Sequence, residues 1–479
     1  MVALPLDFQA RMRDMLQESY PAFLQSYEQT RHWALRVNTL KGTVSEFFQK
    51  TSFGGIRQVP WESTGFYYDN NSQPGKHPLH EAGVYYIQEP SAMAVVPYLE
   101  AKPQEKVLDL CAAPGGKTAQ IASCMENKGL LLCNEIHPAR AKILSENVER
   151  MGIQNALVTN ESPQRLAAHF DSYFDRILVD APCSGEGMFR KNMEACNEWS
   201  LEAVRQCANR QDEILDCAAK MLRPGGRLVY STCTFAPMEN EGSVARFLER
   251  HMDYQLVKVQ KTDGMSQGVP AWAFYDRTDE ACTSKDGDPT LEYTVRLFPH
   301  LVEGEGHYLA VLQKAQELPI EYQSFAVNGQ QQGVEVCSVK EFLEFVKETF
   351  QIDLYQEQSE RLLKFGDQLY WMPKEMPSID QLKVLRPGLH LGTLKKNRFE
   401  PSHALALALC GADVKNRVEL EEQEVKSYLS GMTFPYTGKK GWYLITYKGY
   451  SIGWGKLAGA VMKNHYPKGK RQFDKGSTV

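Results

Sequence analysis

At 479 residues, with 43% hydrophobic and 24% charged residues, the chain is too long for one core and ordinary in composition for a soluble globular protein; length alone suggests about three domains. No apolar run approaches the roughly 20 residues that cross a bilayer, and Asp7 and Arg11 come too early for a secretion signal, so a cytoplasmic protein without membrane association is expected. Eleven cysteines with no Cys-x-x-Cys pair argue against a disulfide framework and a zinc ribbon, while the net charge of −5 conceals a basic end, nine Lys and Arg against one acid from Lys439 onward, that suits a polyanion.

Residues 1 to about 95 read as a small α/β unit. It has a helix over Phe8–Tyr20, a strand over Leu35–Asn38 and a loop at Asn70–Gly75, where turn-forming residues cluster. From Glu105 strands and helices alternate. Strands are expected at Lys106–Leu110, Leu130–Asn134, Ala156–Thr159, Arg176–Asp180 and Arg227–Ser231. Helices are expected at Thr118–Met125, Pro138–Met151, Leu201–Leu222 and Glu239–Arg250. Pro138 suits a first helical position because its φ is already fixed there, and Arg223-Pro224-Gly225-Gly226 stops the long helix. This rhythm predicts an α/β fold built on a parallel, doubly wound sheet.

Thr262–Pro289, rich in Gly and Asp, reads as a surface excursion. Glu292–Phe298 and His307–Leu312 read as two strands that close the sheet as an antiparallel pair. A boundary is expected at Lys314–Pro319. A second small unit, up to about residue 385, carries an amphipathic helix around Val339–Phe350. The region from Arg386 is β-rich, with strands at Gly441–Tyr447 and Tyr450–Trp454 joined by a Lys448-Gly449 turn. There Tyr436, Trp442, Tyr443, Tyr447 and Trp454 interleave with Lys439, Lys440, Lys448 and Lys456; such aromatics stack bases or fill a core.

In an open α/β sheet, ligands gather outside the carboxyl ends of the strands. The first such end carries Asp109-Leu110-Cys111-Ala112-Ala113-Pro114-Gly115-Gly116-Lys117-Thr118. Glycines let backbone approach a ligand, and a helix start offers free N–H groups. Gly116-Lys117-Thr118 imitates a phosphate-binding loop, but that motif needs Gly where Cys111 stands, and Pro114 removes a donor N–H. A dinucleotide would want Gly-x-Gly-x-x-Gly, which is absent. Glu135, 19 residues beyond Gly116 at the end of the next strand, can take both hydroxyls of a ribose. A glycine turn, a ribose carboxylate and no phosphate site fit S-adenosylmethionine.

Two more strand ends carry thiols: Cys183 in Asp180-Ala181-Pro182-Cys183-Ser184-Gly185 and Cys233 in Ser231-Thr232-Cys233-Thr234. Either could attack a base, leaving the other as a second thiol beside it.

Together the three motifs, in this order and each at a strand end, resemble the Nop/Sun family of RNA cytosine-C5 methyltransferases. The resemblance covers about residues 30 to 315, and Arg36-Val37-Asn38, Gln88-Glu89-Pro90-Ser91 and Gly304-Glu305-Gly306-His307 are also similar to that family. It implies a Rossmann-like S-adenosylmethionine methyltransferase core over 96–315, behind an RNA-binding α/β domain over 1–95. Residues Cys111, Ala112, Ala113, Pro114, Gly115, Gly116 and Lys117 would contact S-adenosylmethionine, Glu135 its ribose, and Asp180 its methionine end or the target base at N3. Arg140 matches a family arginine near the cofactor. The family often places Asp near the adenine; here that stretch is Asn160-Glu161-Ser162, with Ser162 at the Asp position and Asn160 the other candidate. The resemblance makes Cys233 the nucleophile that adds to cytosine C6 and Cys183 the thiol that assists release. The Glu-Asn-Val segment that accompanies the other thiol in DNA enzymes is replaced here by Met238-Glu239-Asn240-Glu241.

The C-terminal extension is similar to that of bacterial RsmF-type enzymes, which act on small-subunit ribosomal RNA. It would comprise an accessory α/β domain over 316–385 and a PUA-like RNA-binding domain over 386–479, resembled most in Gly453–Lys456 and Lys463–Pro467. The expected partner is ribosomal RNA or the small ribosomal subunit, met by a monomer with no metal. The same chemistry on transfer RNA or another RNA, and a non-catalytic RNA-binding assembly factor, are the alternatives.

Overall fold

The computed structural model describes residues 4–191, 193–275, 287–316, 330–334, 336–351, 359–374 and 376–471. Its centre is a ten-stranded sheet. Five parallel strands form the middle, in the spatial order Leu222–Thr232, Phe174–Asp180, Lys106–Asp109, Leu130–Asn134 and Ala156–Thr159. The chain starts at Lys106–Asp109, builds outward one way and then the other, so the order reverses between that strand and Phe174–Asp180. A crevice opens at such a reversal, at the strands' carboxyl ends.

These strands are apolar on both faces because helices cover both faces. Leu108, Leu132, Ile177, Val179 and Leu228 face one buried cluster, and Val107, Leu131, Val158, Leu178 and Val229 the other. His307–Lys314 pairs antiparallel with Leu222–Thr232, and Val295–Leu297 antiparallel with it, as the closing pair expected from the sequence. The stretch read as a surface excursion departs from that expectation. Met265–Gln267 extends the sheet edge beyond Val295–Leu297, and Ala273 enters the core. Residues 276–286 of it lie outside the described residues.

The N-terminal unit is a four-stranded antiparallel sheet of Arg57–Gln58, Gly65–Tyr67, Ala34–Val37 and Tyr85–Ile87. The single helix expected over Phe8–Tyr20 is two, Leu6–Leu16 and Tyr20–Ser26. Gln17 turns to φ 46, out of the helical region, and Pro21 occupies the first turn of the second helix, where its missing N–H costs nothing.

Beyond the central sheet, Leu362–Phe365, Gln368–Trp371, Leu389–Lys395 and Arg398–Pro401 form a four-stranded sheet, covered by the helix Lys340–Thr349. It draws strands from both sides of residue 385. A five-stranded sheet follows, centred on Gly441–Tyr447 and Tyr450–Ala458, with the expected turn at Lys448 (φ 50) and Gly449 (φ 79). Of its aromatics, Trp442, Tyr443, Tyr447 and Trp454 are buried, so they fill cores rather than offer faces to bases. Among the described residues no helix is long and apolar enough to cross a membrane, and no group of three or more His, Cys, Asp or Glu could hold a metal.

The strand Val384–Pro387 is an unexpected edge member of the central sheet. It runs antiparallel along Ala156–Thr159 and covers an edge that would otherwise expose unpaired backbone groups. The Asn160 N–H donates to the Lys383 carbonyl at 2.9 Å, and the Lys383 N–H to Glu161 Oε1 at 2.7 Å. Glu149, on the helix Pro138–Arg150, anchors this docking through Arg386 at 2.7 Å and Lys470 at 2.9 Å. Burial alone would raise the Glu149 pKa, but the two cations overcome it and hold the carboxyl down to about 2. Its contribution to stability is therefore complete above the ordinary carboxylate range and lost as pH falls through about 2. Glu149→Gln should cost roughly 3 kcal/mol at neutral pH, the scale for breaking a buried pair. Thermal melts should show the gap to wild type closing from about pH 5 downward, as the carboxylate is protonated.

Candidate active site

The loop after the first parallel strand is shaped by small residues. Gly115 takes φ +111, and a Cβ there would sit 3.2 Å from Leu144 and 3.4 Å from Asn147. A Cβ on Gly116 would lie 3.0 Å from the Tyr86 ring. The loop is held from outside: the Ala112 N–H donates to the Asn134 carbonyl (2.8 Å), Arg140 to the Ala113 carbonyl (2.8 Å) and Asn147 to the Pro114 carbonyl (2.8 Å). Arg36, fully buried, reaches the Gly116 carbonyl at 3.3 Å. Beneath the loop, Asp109 accepts from the Thr118 hydroxyl at 2.6 Å. Burial pushes its carboxyl up to about 7, partly offset by that hydrogen bond. The Cys111 thiol is also pushed up, first by burial and then by Asp109, so it is an inert loop residue.

Glu135 is buried at the next strand end. Its Oε1 accepts from the His137 N–H at 2.9 Å, and its Oε2 lies 3.6 Å from Arg140, leaving acceptor capacity on that oxygen. Asp109, Glu135 and Asp180 therefore surround a cradle where Lys117 is already paired with Asp180 and buried Arg36 is turned to the Gly116 carbonyl. This donor set suits a cationic adenosine cofactor and repels a phosphate. Gly115 and Gly116 let the loop pack closely against Leu144 and Tyr86, and a carboxylate stands where ribose hydroxyls would be taken.

Asp180 ends the fourth parallel strand. Oδ2 pairs with Lys117 Nζ at 2.8 Å, Oδ1 accepts from the Ser231 hydroxyl at 2.8 Å, and His307 Nε2 stands 3.5 Å from Oδ1. Burial would raise its pKa, but Lys117 and His307 more than offset this, and Asp180 stays ionised well below the usual carboxylate range. Lys117 is raised in turn: burial works against its charge, and Asp180 overcomes it.

Cys183 and Cys233 follow neighbouring strands paired Asp180 to Ser231, and their sulfurs lie 3.3 Å apart, both half-buried. The hydrogen bond to Cys233, helped by burial, pushes the Cys183 thiol well up, and either sulfur can be the donor in that contact. The loops carrying the thiols are tied together. The Gly187 N–H donates to the Cys233 carbonyl at 2.8 Å, and a Cβ at Gly187 would come within 2.9 Å of that oxygen.

The structure thus brings Cys183, Cys233, Asp180 and Lys117 together beside the cradle lined by Cys111 to Gly116, Glu135 and Arg140. Asn160 and Ser162 each hold backbone. The Asn160 side-chain amide donates to the Glu135 and Ile136 carbonyls (2.7 and 2.9 Å), and the Ser162 hydroxyl caps the helix Pro163–His169 by accepting from Arg165. Asn38 is a fold residue, donating to the Gly83 and Met151 carbonyls. Sequence reasoning quoted His307 only within a motif and gave Glu239 no role. Glu239 is buried, holds Ser184 beside Cys183, and is pushed up to about 7 by burial and by Glu186.

Comparisons with known proteins agree across the chain. Residues 96–313 match the family model of 16S rRNA methyltransferase RsmB/F, and 4–90 that of the N-terminal domain of 16S rRNA methyltransferase RsmF. Residues 344–409 match the RsmF rRNA methyltransferase first C-terminal domain, and 415–472 the methyltransferase RsmF PUA domain. The chain is 31% identical over 489 residues to ribosomal RNA small subunit methyltransferase F of Escherichia fergusonii, spanning 98% of this chain and 96% of that one. The protein of that name from Shigella boydii serotype 4 is 31% identical over 483 residues, with the same coverage. Among solved structures, a methyltransferase homolog protein from Pyrococcus horikoshii aligns with a TM-score of 0.56 and 27% identity, over 65% of this chain and 96% of that one. NSun6 from Pyrococcus horikoshii shares the fold, with a TM-score of 0.54 at 21% identity, over 66% of this chain and all of that one. On its Rossmann-like core, its end-to-end identity and its four matched domains, the chain belongs to the RsmB/F family of 16S rRNA methyltransferases, with the domain set of the RsmF type.

Proposed function

We propose that this protein methylates carbon 5 of cytosine in small-subunit ribosomal RNA, with S-adenosylmethionine as methyl donor, Cys233 as nucleophile and Cys183 as the thiol that assists release. The observation that carries this reading is the pair of sulfurs 3.3 Å apart, next to the Asp180–Lys117 pair and the glycine cradle. Residues Cys111 to Lys117 and Glu135 would hold the cofactor, which supplies an electrophilic methyl group when bound.

Cytosine C5 is a weak nucleophile. Cys233 gives its thiol proton to water, and the thiolate adds to C6, which breaks the C5–C6 double bond and places electron density on C5 and N3. Lys117 supplies the positive charge that supports this density. Asp180, kept ionised by Lys117 and His307, cannot itself give N3 a proton; it accepts from the exocyclic amine and orients the ring. In release the C5 proton passes to water, its electron pair restores the C5–C6 double bond, and the C6–S bond breaks. Cys183, whose sulfur lies 3.3 Å from that of Cys233, protonates the Cys233 sulfur as it leaves and is reprotonated from solvent. The base must first leave its stack to reach this crevice. The N-terminal unit and the PUA-type domain, with its basic end, would grip the RNA backbone.

The test is to incubate the enzyme with small ribosomal subunits, and separately with naked 16S RNA, lacking the modification, together with labelled cofactor. Nucleoside digestion should give label in 5-methylcytidine alone. Label on N4, on a ribose or on another base would sink the reading.

A further inference from the structure

The segment Met238-Glu239-Asn240-Glu241 plays no part in the chemistry above, yet the side chains of Glu239 and Asn240 are fully buried and each reaches a different thiol loop. Glu239 Oε2 accepts from the Ser184 N–H at 3.0 Å and from Gln211 Nε2 at 2.8 Å, and Oε1 accepts from the Ser184 hydroxyl. Ser184 directly follows Cys183. Asn240 instead brackets Cys233: its Oδ1 accepts from the Thr232 hydroxyl at 2.6 Å, and its Nδ2 donates to the Thr234 carbonyl at 2.9 Å. The two brackets meet where the Ser184 and Thr234 hydroxyls lie 2.8 Å apart.

We propose that Glu239 and Asn240 are positioning residues, one for each thiol: Glu239 sets Cys183 for release, and Asn240 sets Cys233 for attack. Both thiols sit on loops beyond strand ends, where the sheet's hydrogen bonds no longer fix the backbone. Misplacement by about 1 Å can cost a hundredfold in rate. A buried carboxylate is an expensive filler beside an apolar side chain of the same size. What it adds here is three directed hydrogen bonds, two of them to the residue after Cys183. Glutamine can replace it, because a neutral amide keeps an oxygen for the Ser184 N–H and Gln211 and turns its NH₂ toward the Ser184 hydroxyl.

The inference rests on the assignment of the two thiols, and its signature is an opposite effect on the covalent RNA adduct. The experiment follows adduct formation and decay by denaturing gel, using full-length enzyme, substrate RNA and cofactor, with Cys183→Ala as reference. Glu239→Ala should accumulate adduct, with release slowed about a hundredfold, while Glu239→Gln releases near the wild-type rate. In a Cys183→Ala background, Asn240→Ala should slow adduct formation by a similar factor, and Glu239→Ala should leave it unchanged. If either alanine variant fails to fold, as judged by circular dichroism, Ser184→Ala and Thr232→Val remove one hydroxyl from each bracket and should show the same directions more weakly. Release at the wild-type rate in Glu239→Ala, attack at the wild-type rate in Asn240→Ala, equal loss of both steps in both variants, or a Glu239→Gln as slow as Glu239→Ala would each overturn the proposal. Absence of adduct in Cys183→Ala would instead overturn the thiol assignment beneath it; adduct there but none in Glu239→Ala overturns the positioning role alone.

Discussion

Cys233→Ala should abolish methyl transfer, with a loss of at least about 10⁴-fold, the scale seen when a nucleophile is removed. The expectation follows from what the remaining thiol can do. The variant removes the hydrogen bond to the Cys233 sulfur, but burial still pushes the Cys183 thiol up, and a protonated thiol does not add to C6. Its loop is fixed by Glu239 and Gly187, so it cannot swing into the vacated position. Cys233→Ser should be nearly as inactive, since a hydroxyl in this site has no adjacent base to ionise it. The assay is initial-rate methyl incorporation into small subunits, with thermal melts to show that the variant is folded. Activity within tenfold of wild type would contradict the assignment.

Asp180→Asn has the next largest expected effect, a fall of roughly 10² to 10³ in turnover, comparable to removing one preorganised electrostatic contact. The loss has two parts. An amide cannot neutralise Lys117, which is 9% exposed and would be left as a buried, unpaired cation. It also gives up one of the two acceptor oxygens that now meet Lys117 and Ser231. The drop should fall mainly on kcat, because the RNA is gripped elsewhere. Lys117→Met should resemble it, and the double variant should lose little more than either single one, since each removes the same pair. A purely additive double variant would show that the two residues act separately.

Much of the catalytic sheet was legible because its strands are short, uniformly apolar runs set between recognisable helices. Leu130–Asn134 and Ala156–Thr159 match their expected limits. What escaped was set by distant pairing. Val384-Leu385-Arg386-Pro387 has the length of a turn and ends in proline; it is a strand only because Ala156–Thr159, far earlier in the chain, needs an edge partner. The split of the first helix depends on one residue, Gln17, whose positive φ no local pattern announces. The strand-end motifs carrying Cys183, Cys233, Asp180 and Glu135 were readable because their chemistry is local. Glu239 was not, because its partner Ser184 lies 55 residues away and only the fold brings them together. The expectation that Asn160 or Ser162 would touch the adenine came from position alone. In the fold the Asn160 amide and the Ser162 hydroxyl hold backbone in place, contacts that only the folded neighbours reveal.

The central claim is that Cys233 attacks cytosine and Cys183 releases it. The most direct measurement is mass spectrometry of the covalent complex trapped by Cys183→Ala with substrate RNA and cofactor, after digestion of both protein and RNA. The account predicts a methylated cytidine attached to the peptide that contains Cys233, and no such complex from Cys233→Ala. A cytidine recovered on Cys183 from the Cys233→Ala enzyme, with none trapped by Cys183→Ala, would contradict it.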